Sequence, residues 1–140
     1  MEMSKKYIKL CSLKEIQALC TWNAGDRFLI KSQEVFSFLE KNKGFKDDAK
    51  CMVWVPNYDS NFEIDQKDLL WIPNLSQVVS LLKKTAPDLS KMAIEYIGDK
   101  WSCSLHYPSH QTKKIIPIVT FAKTGKTACI KALVTLIRLK

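Results

Sequence analysis

Gly98-Asp99 separates two apolar-rich runs, residues 92–97 and 101–107, and the second of them alternates cleanly between apolar and polar residues. A glycine-led pair between two such runs reads as a two-residue hairpin turn, because glycine adopts the positive φ this turn requires without a Cβ clash. An antiparallel hairpin is therefore the fixed point around which the second half of the chain folds. In its second arm a period of two predicts that Trp101, Cys103, Leu105 and Tyr107 face the core. Residues 115–122 supply a third strand with two conflicting signals. Apolar residues on both faces predict a strand covered on both sides, whereas Pro117 lacks a ladder donor and predicts an edge or a strand start.

Helices are expected on either side of this meander. Asn74 and Gln77 form a capping pair, and Leu75, Val78, Val79, Leu82 and Ala86 keep helical spacing up to Pro87. From about Gly125 to the end, Cys129, Ala132, Leu133, Leu136 and Ile137 make one stripe that Ile130, Val134 and Leu139 widen. A stripe that wide predicts a helix packed on two sides or one used in a homodimer contact. Earlier in the chain, Ser12 with Glu15 reads as a capping box for a helix over 13–22, and Ser32 with Gly44 brackets a second over 32–44. Residues 51–55 suit a strand, and the acidic stretch 58–68 suits a loop. The sum is an α+β fold, a single small and mostly antiparallel sheet with helices packed on its faces in the manner of an α/β/α sandwich. With 140 residues, 46% of them hydrophobic, one domain spanning 1–140 suffices.

Charge is the most informative bulk property. Residues 1–70 hold 11 Lys/Arg and 11 Asp/Glu, whereas residues 71–140 hold 11 Lys/Arg and 3 Asp/Glu, so the whole +8 lies in the second half. No carboxylate follows Asp99. Such a surface is expected to meet an acidic partner, nucleic acid or an acidic host protein, through Lys113, Lys114, Lys123, Lys126 and Lys131. The N-terminal residues lack a signal peptide's apolar core, and no run approaches the ~20 apolar residues of a membrane span, so a cytoplasmic setting is expected. Five cysteines, at 11, 20, 51, 103 and 129, with no C-x-x-C pair, argue against a disulfide framework or a zinc site and read as small buried apolar residues.

The motifs that suggest chemistry fail on their own requirements. Gly125-Lys126-Thr127 resembles the end of a P-loop, but position 120 is Thr where the loop needs Gly. What remains is a helix start whose free amides, with Gly125, Lys123 and Lys126, offer a place for a phosphate or nucleotide. Asp59-x-Asn61-x-Glu63 opens like a calcium loop, yet Ile64 and Leu70 occupy the positions of the turn glycine and the bidentate carboxylate. His106 alternates away from Cys103, and His110 lies in a loop, so no nucleophile pair or metal set forms. No enzyme, metal or cofactor is expected. Trp54 and Trp101 sit in strand runs and read as core, whereas Trp22 and Trp71 stand at element boundaries and are candidate interface anchors for a protein-binding inhibitor or an assembly factor.

Two stretches carry a family likeness. Leu70-Trp71-Ile72-Pro73-Asn74-Leu75-Ser76-Gln77 resembles a tryptophan, aliphatic, proline, threonine and glutamine signature of small accessory proteins of tailed bacteriophages and prophages, with Asn74 at the usual threonine. Trp101-Ser-Cys-Ser-Leu105 and Ala128-Cys-Ile-Lys-Ala-Leu133 are similar to the end of phage proteins with an α/β/α sandwich domain. The resemblance spans roughly 69–140 and implies a sandwich fold and a phage or prophage setting, with a role in binding a host or phage macromolecule and no transferable catalytic residue.

Overall fold

The computed structural model describes residues 5–41, 50–108 and 114–139. Its strands pair only with antiparallel neighbours and its class is α+β. They form two sheets rather than the one expected, and the chain divides into two compact units, Cys11–Pro73 and Met1–Leu10 with Asn74–Lys140.

In the first unit, a short helix α2 (Lys14–Gln17) precedes β1 (Arg27–Ile30), β2 (Val35–Leu39), β3 (Lys50–Val55), β4 (Ser60–Asp65) and β5 (Leu69–Trp71), in the sheet order β4-β3-β2-β1-β5. Its inner face carries Phe28, Ile30, Ser37, Leu39, Val53, Val55 and Trp71, all buried. The helix expected over 32–44 is strand β2 where it is described, and Gly44 lies outside the described residues. Ser32 caps nothing. Its hydroxyl and amide bond the Asp68 carboxylate, and Glu34 at φ 54° turns the chain back into a hairpin with β1. Val35, Phe36, Phe38 and Leu39, all β-favouring, then pair with β1 and β3. The strand over 51–55 is present, but the acidic stretch after it is strand β4, paired with β3 along its whole length. The helix expected over 13–22 shrinks to one turn, whose N-cap is Leu13 and not Ser12.

The sheet stops at β5 for a definable reason. Trp71 directs its backbone amide and carbonyl away from β1, and the Gln17 side chain takes both, accepting from the Trp71 N–H at 3.0 Å and donating to its C=O at 2.9 Å. The same Gln17 amide donates to the Cys11 carbonyl at 2.7 Å. With the outward amide and carbonyl of Trp71 occupied, β5 is blocked at that residue from templating a sixth strand.

In the second unit, α3 (Leu75–Thr85), β6 (Lys91–Ile97), β7 (Lys100–Pro108), β8 (Ile115–Ala122) and α4 (Gly125–Leu139) join the N-terminal turns of α1 (Lys5–Cys11). The capping box of α3 is complete, with Asn74 accepting from the Gln77 amide and Gln77 from the Asn74 amide. The hairpin is in the expected register, with Ile97 opposite Lys100 and Gly98 at φ 65°. Strand β8 is an edge, as Pro117 required. The carbonyl of its partner His106 bonds Ser90 on the opposite side, so the missing proline donor faces the open edge. The strand is not covered on both sides: Val119 and Phe121 are about half exposed, while Ile118 and Ala122 are buried beneath α4. Helix α4 packs on β7 and β8 and against α3 and buries eight residues, so the chain itself accounts for its wide stripe. Helix α1, which no sequence pattern announces, buries Tyr7.

Candidate nucleic-acid interface

The charge asymmetry follows the boundary between the units. The unit containing α1, α3, α4 and β6 to β8 holds 14 Lys/Arg against 4 Asp/Glu, net +10, and the other holds 8 against 10, net −2. Within the basic unit the lysines are not spread evenly.

Lys131 is the centre of a cluster. It sits in the second turn of α4, half-buried, and its Nζ donates to the Phe121 carbonyl on the open edge of β8 at 2.8 Å. Burial, followed by the charges of Lys6 and Lys100 and a hydrogen bond with Lys6, holds its pKa below the ordinary lysine value. Lys131 of α4 therefore lies within electrostatic reach of Lys6 on α1 and of Lys100 on β7. Lys126 stands in the first turn of α4, its Nζ lying 4.4 Å from the centroid of the buried Tyr7 ring. That cation–π contact packs α1 against α4 and brings Lys6, the neighbour of Tyr7, to the cluster.

Of the residues expected to carry the site, Lys131 bonds the edge of β8 and Lys126 packs on Tyr7 about one and a half turns earlier in α4. Lys123 is exposed in the turn just before α4. Lys114 precedes β8, whose eight residues separate it from Lys123 by roughly 25–30 Å at the rise of an extended strand. Lys113 lies outside the described residues. Lys6 and Lys100 are additional. Lys6 is hidden in the electrically balanced first half, and only the helix that carries Tyr7 back to α4 reveals its place. Gly125 begins α4, but a Cβ there would lie 3.3 Å from Cε3 of Trp101, so an indole occupies the space beside it. The Thr124 hydroxyl already accepts from the Thr127 amide at 3.2 Å. That bond satisfies one of the free amides of the helix start.

Trp101 departs from the expected core position. It shares the inner face with Cys103 and Leu105, which are fully buried, yet at the hairpin end it is 37% exposed. Its ring stands 5.4 Å from that of Tyr96, itself 61% exposed, with the planes tilted 58°. Two accessible aromatic rings therefore stand together at the hairpin tip, and Trp101, which follows Lys100 in sequence, also lies beside Gly125, which precedes Lys126.

The other candidates resolve differently. Trp71 is buried, so it is not an interface anchor, and its indole Nε1 is the one buried side-chain nitrogen or oxygen without a hydrogen-bond partner among the described residues. Trp22 stacks on Phe28 at 4.7 Å. Trp54 faces away from the core beside Phe38 and Met52, which are 37% and 43% exposed. Four of the five cysteines are buried, and Cys20 is intermediate. Cys103 and Cys129 bond each other between β7 and α4. That hydrogen bond, then burial and the neighbouring sulfur, push the Cys129 thiol up, which keeps it a thiol. His106 faces away from Cys103, and His110 lies outside the described residues. A groove of about 530 Å³ at the end of α3 is lined by Lys83, Lys91, Ser90 and apolar residues, and the Ser90 hydroxyl donates to the His106 carbonyl. Among the described residues no His, Cys, Asp or Glu group of three or more could hold a metal, and no helix is long and apolar enough to cross a membrane.

No family model matches the sequence, and no curated protein or solved structure matches it.

Proposed function

We propose that this is a non-enzymatic binding protein whose basic unit holds an acidic macromolecule, namely nucleic acid. The net charge of +10 on the basic unit, with Lys131 near Lys6 and Lys100, carries the reading. Burial first, and then the neighbouring lysines, hold Lys131 below its ordinary pKa; a bound polyanion relieves the repulsion among such charges while releasing counterions. A phage or prophage accessory role, expected from residues 69–140, belongs to the same proposal.

The test is fluorescence anisotropy of labelled single- and double-stranded DNA and RNA at low and near-physiological salt, with wild type and a Lys6→Glu, Lys100→Glu double variant. Binding that falls steeply with salt is expected. The variant should bind more weakly and with a shallower salt slope, by about one unit for each phosphate that it no longer neutralises. No binding at low salt would overturn the reading and turn the search to protein partners.

A further inference from the structure

Resting on the lysine cluster as a polyanion site, we propose that its ligand is single-stranded nucleic acid, whose bases stack on Tyr96 and Trp101 while the phosphates lie on Lys6, Lys100, Lys126 and Lys131. Base-specific duplex readout requires an element that enters a groove, usually a helix with a free face. Helix α4 has none to spare, since eight of its fifteen residues are buried and its exposed strip is narrow. An unpaired strand, by contrast, offers both a phosphate backbone and free base faces, and its non-specific binders combine a basic track with aromatic platforms.

The aromatic platform here is built into the fold. Cross-strand pairing sets Tyr96 directly opposite Trp101 at the tip of the β6–β7 hairpin. Their rings are 61% and 37% exposed, although the residues on the same face deeper in β7 are fully buried. Trp101 is held from beneath by Gly125 of α4, where any side chain would press on the ring, so the indole is positioned but not covered. Sequence neighbours tie the platform to the charge: Lys100 precedes Trp101, and Lys126 follows Gly125 and covers Tyr7, the neighbour of Lys6. Spacing between the platform and the lysine cluster is thereby set by rigid elements rather than by a loop.

The experiment compares a labelled twelve-residue oligothymidine, its RNA counterpart, an abasic strand of the same length and a duplex, using wild type, Tyr96→Ala, Trp101→Phe and the double lysine variant. Tyr96→Ala should weaken oligothymidine and its RNA counterpart about 5- to 150-fold, the equivalent of one stacked base, and leave the abasic strand and the duplex unchanged. Tryptophan fluorescence should be quenched by the oligothymidine in wild type, and much of that quenching should vanish in Trp101→Phe, which retains an aromatic ring over Gly125. Equal affinity of wild type and Tyr96→Ala for oligothymidine, with binding still weakened in the lysine variant, would refute stacking and leave the charge site standing. Absence of wild-type binding to every strand would instead refute the charge site itself.

Discussion

Gln17 closes the five-stranded sheet with one side chain, and removing it tests whether a sheet edge can depend on a single amide. Gln17→Ala deletes three hydrogen bonds, to the Trp71 amide, the Trp71 carbonyl and the Cys11 carbonyl. Trp71 is buried, so its backbone amide and carbonyl lose these partners in a place water reaches poorly, and the Cys11 carbonyl loses one bond. An orphaned buried group costs about 1–3 kcal/mol. Gln17 itself is half-buried, which admits some water on truncation and favours the low end of that range for each group. Against this cost stands the rotamer entropy a glutamine regains on removal, up to roughly 1.5 kcal/mol. The net expectation is a destabilisation of about 2 kcal/mol. With a urea slope of roughly 1–3 kcal/mol/M, the unfolding midpoint should fall by about 1 M. Amide exchange at Trp71 should accelerate in the same variant. Gln17→Glu, which keeps the acceptor for the Trp71 N–H but has no donor for the carbonyls, should not restore stability. A midpoint within about 0.2 M of wild type, with Trp71 exchange unchanged, would refute the account.

Two further perturbations probe the basic unit. Asn74→Ala removes half of the α3 capping box and should cost about 1 kcal/mol in urea unfolding followed by circular dichroism, whereas Asn74→Asp, also a good cap, should cost much less. Lys100→Gln relieves repulsion on Lys131 and should raise the melting temperature at low ionic strength, with the gain disappearing at about 0.5 M salt, where screening is nearly complete. A gain that persists at high salt would mean that packing, not charge, is responsible. Acidification should not mimic the substitution: a lysine held below its ordinary pKa gives its full stability only above the unfolded-state pKa, and that stability is lost as pH falls through the folded-state value.

Sequence alone determined those elements whose signals are local. The α3 capping box places both of its partners within four residues, and the Gly98 turn joins arms adjacent in the chain, so both stand where the residues put them. Pro117 marks an edge because the absence of an N–H is a property of the residue itself. The charge asymmetry is equally legible in composition, although its true boundary is that of the units, with Lys5, Lys6 and Lys9 on the basic side.

What only the tertiary structure decided are the matters that depend on distant partners. Ser32 looks like a helix cap until Asp68, far along the chain, binds it. Residues 35–39 carry a helical spacing that is overridden when β1 and β3 pair with them on either side. Gln17 ends the first sheet through its bonds to Trp71, which no local pattern announces. The site shows the same division: the lysines are countable in the sequence, but the meeting of Lys6 with Lys131 and the half-exposed Tyr96–Trp101 pair arise from α1, α4 and the hairpin tip converging in space. Periodicity tells a side chain which face it takes. How much solvent that face meets is set by the element packed against it, and that element is chosen by the whole chain.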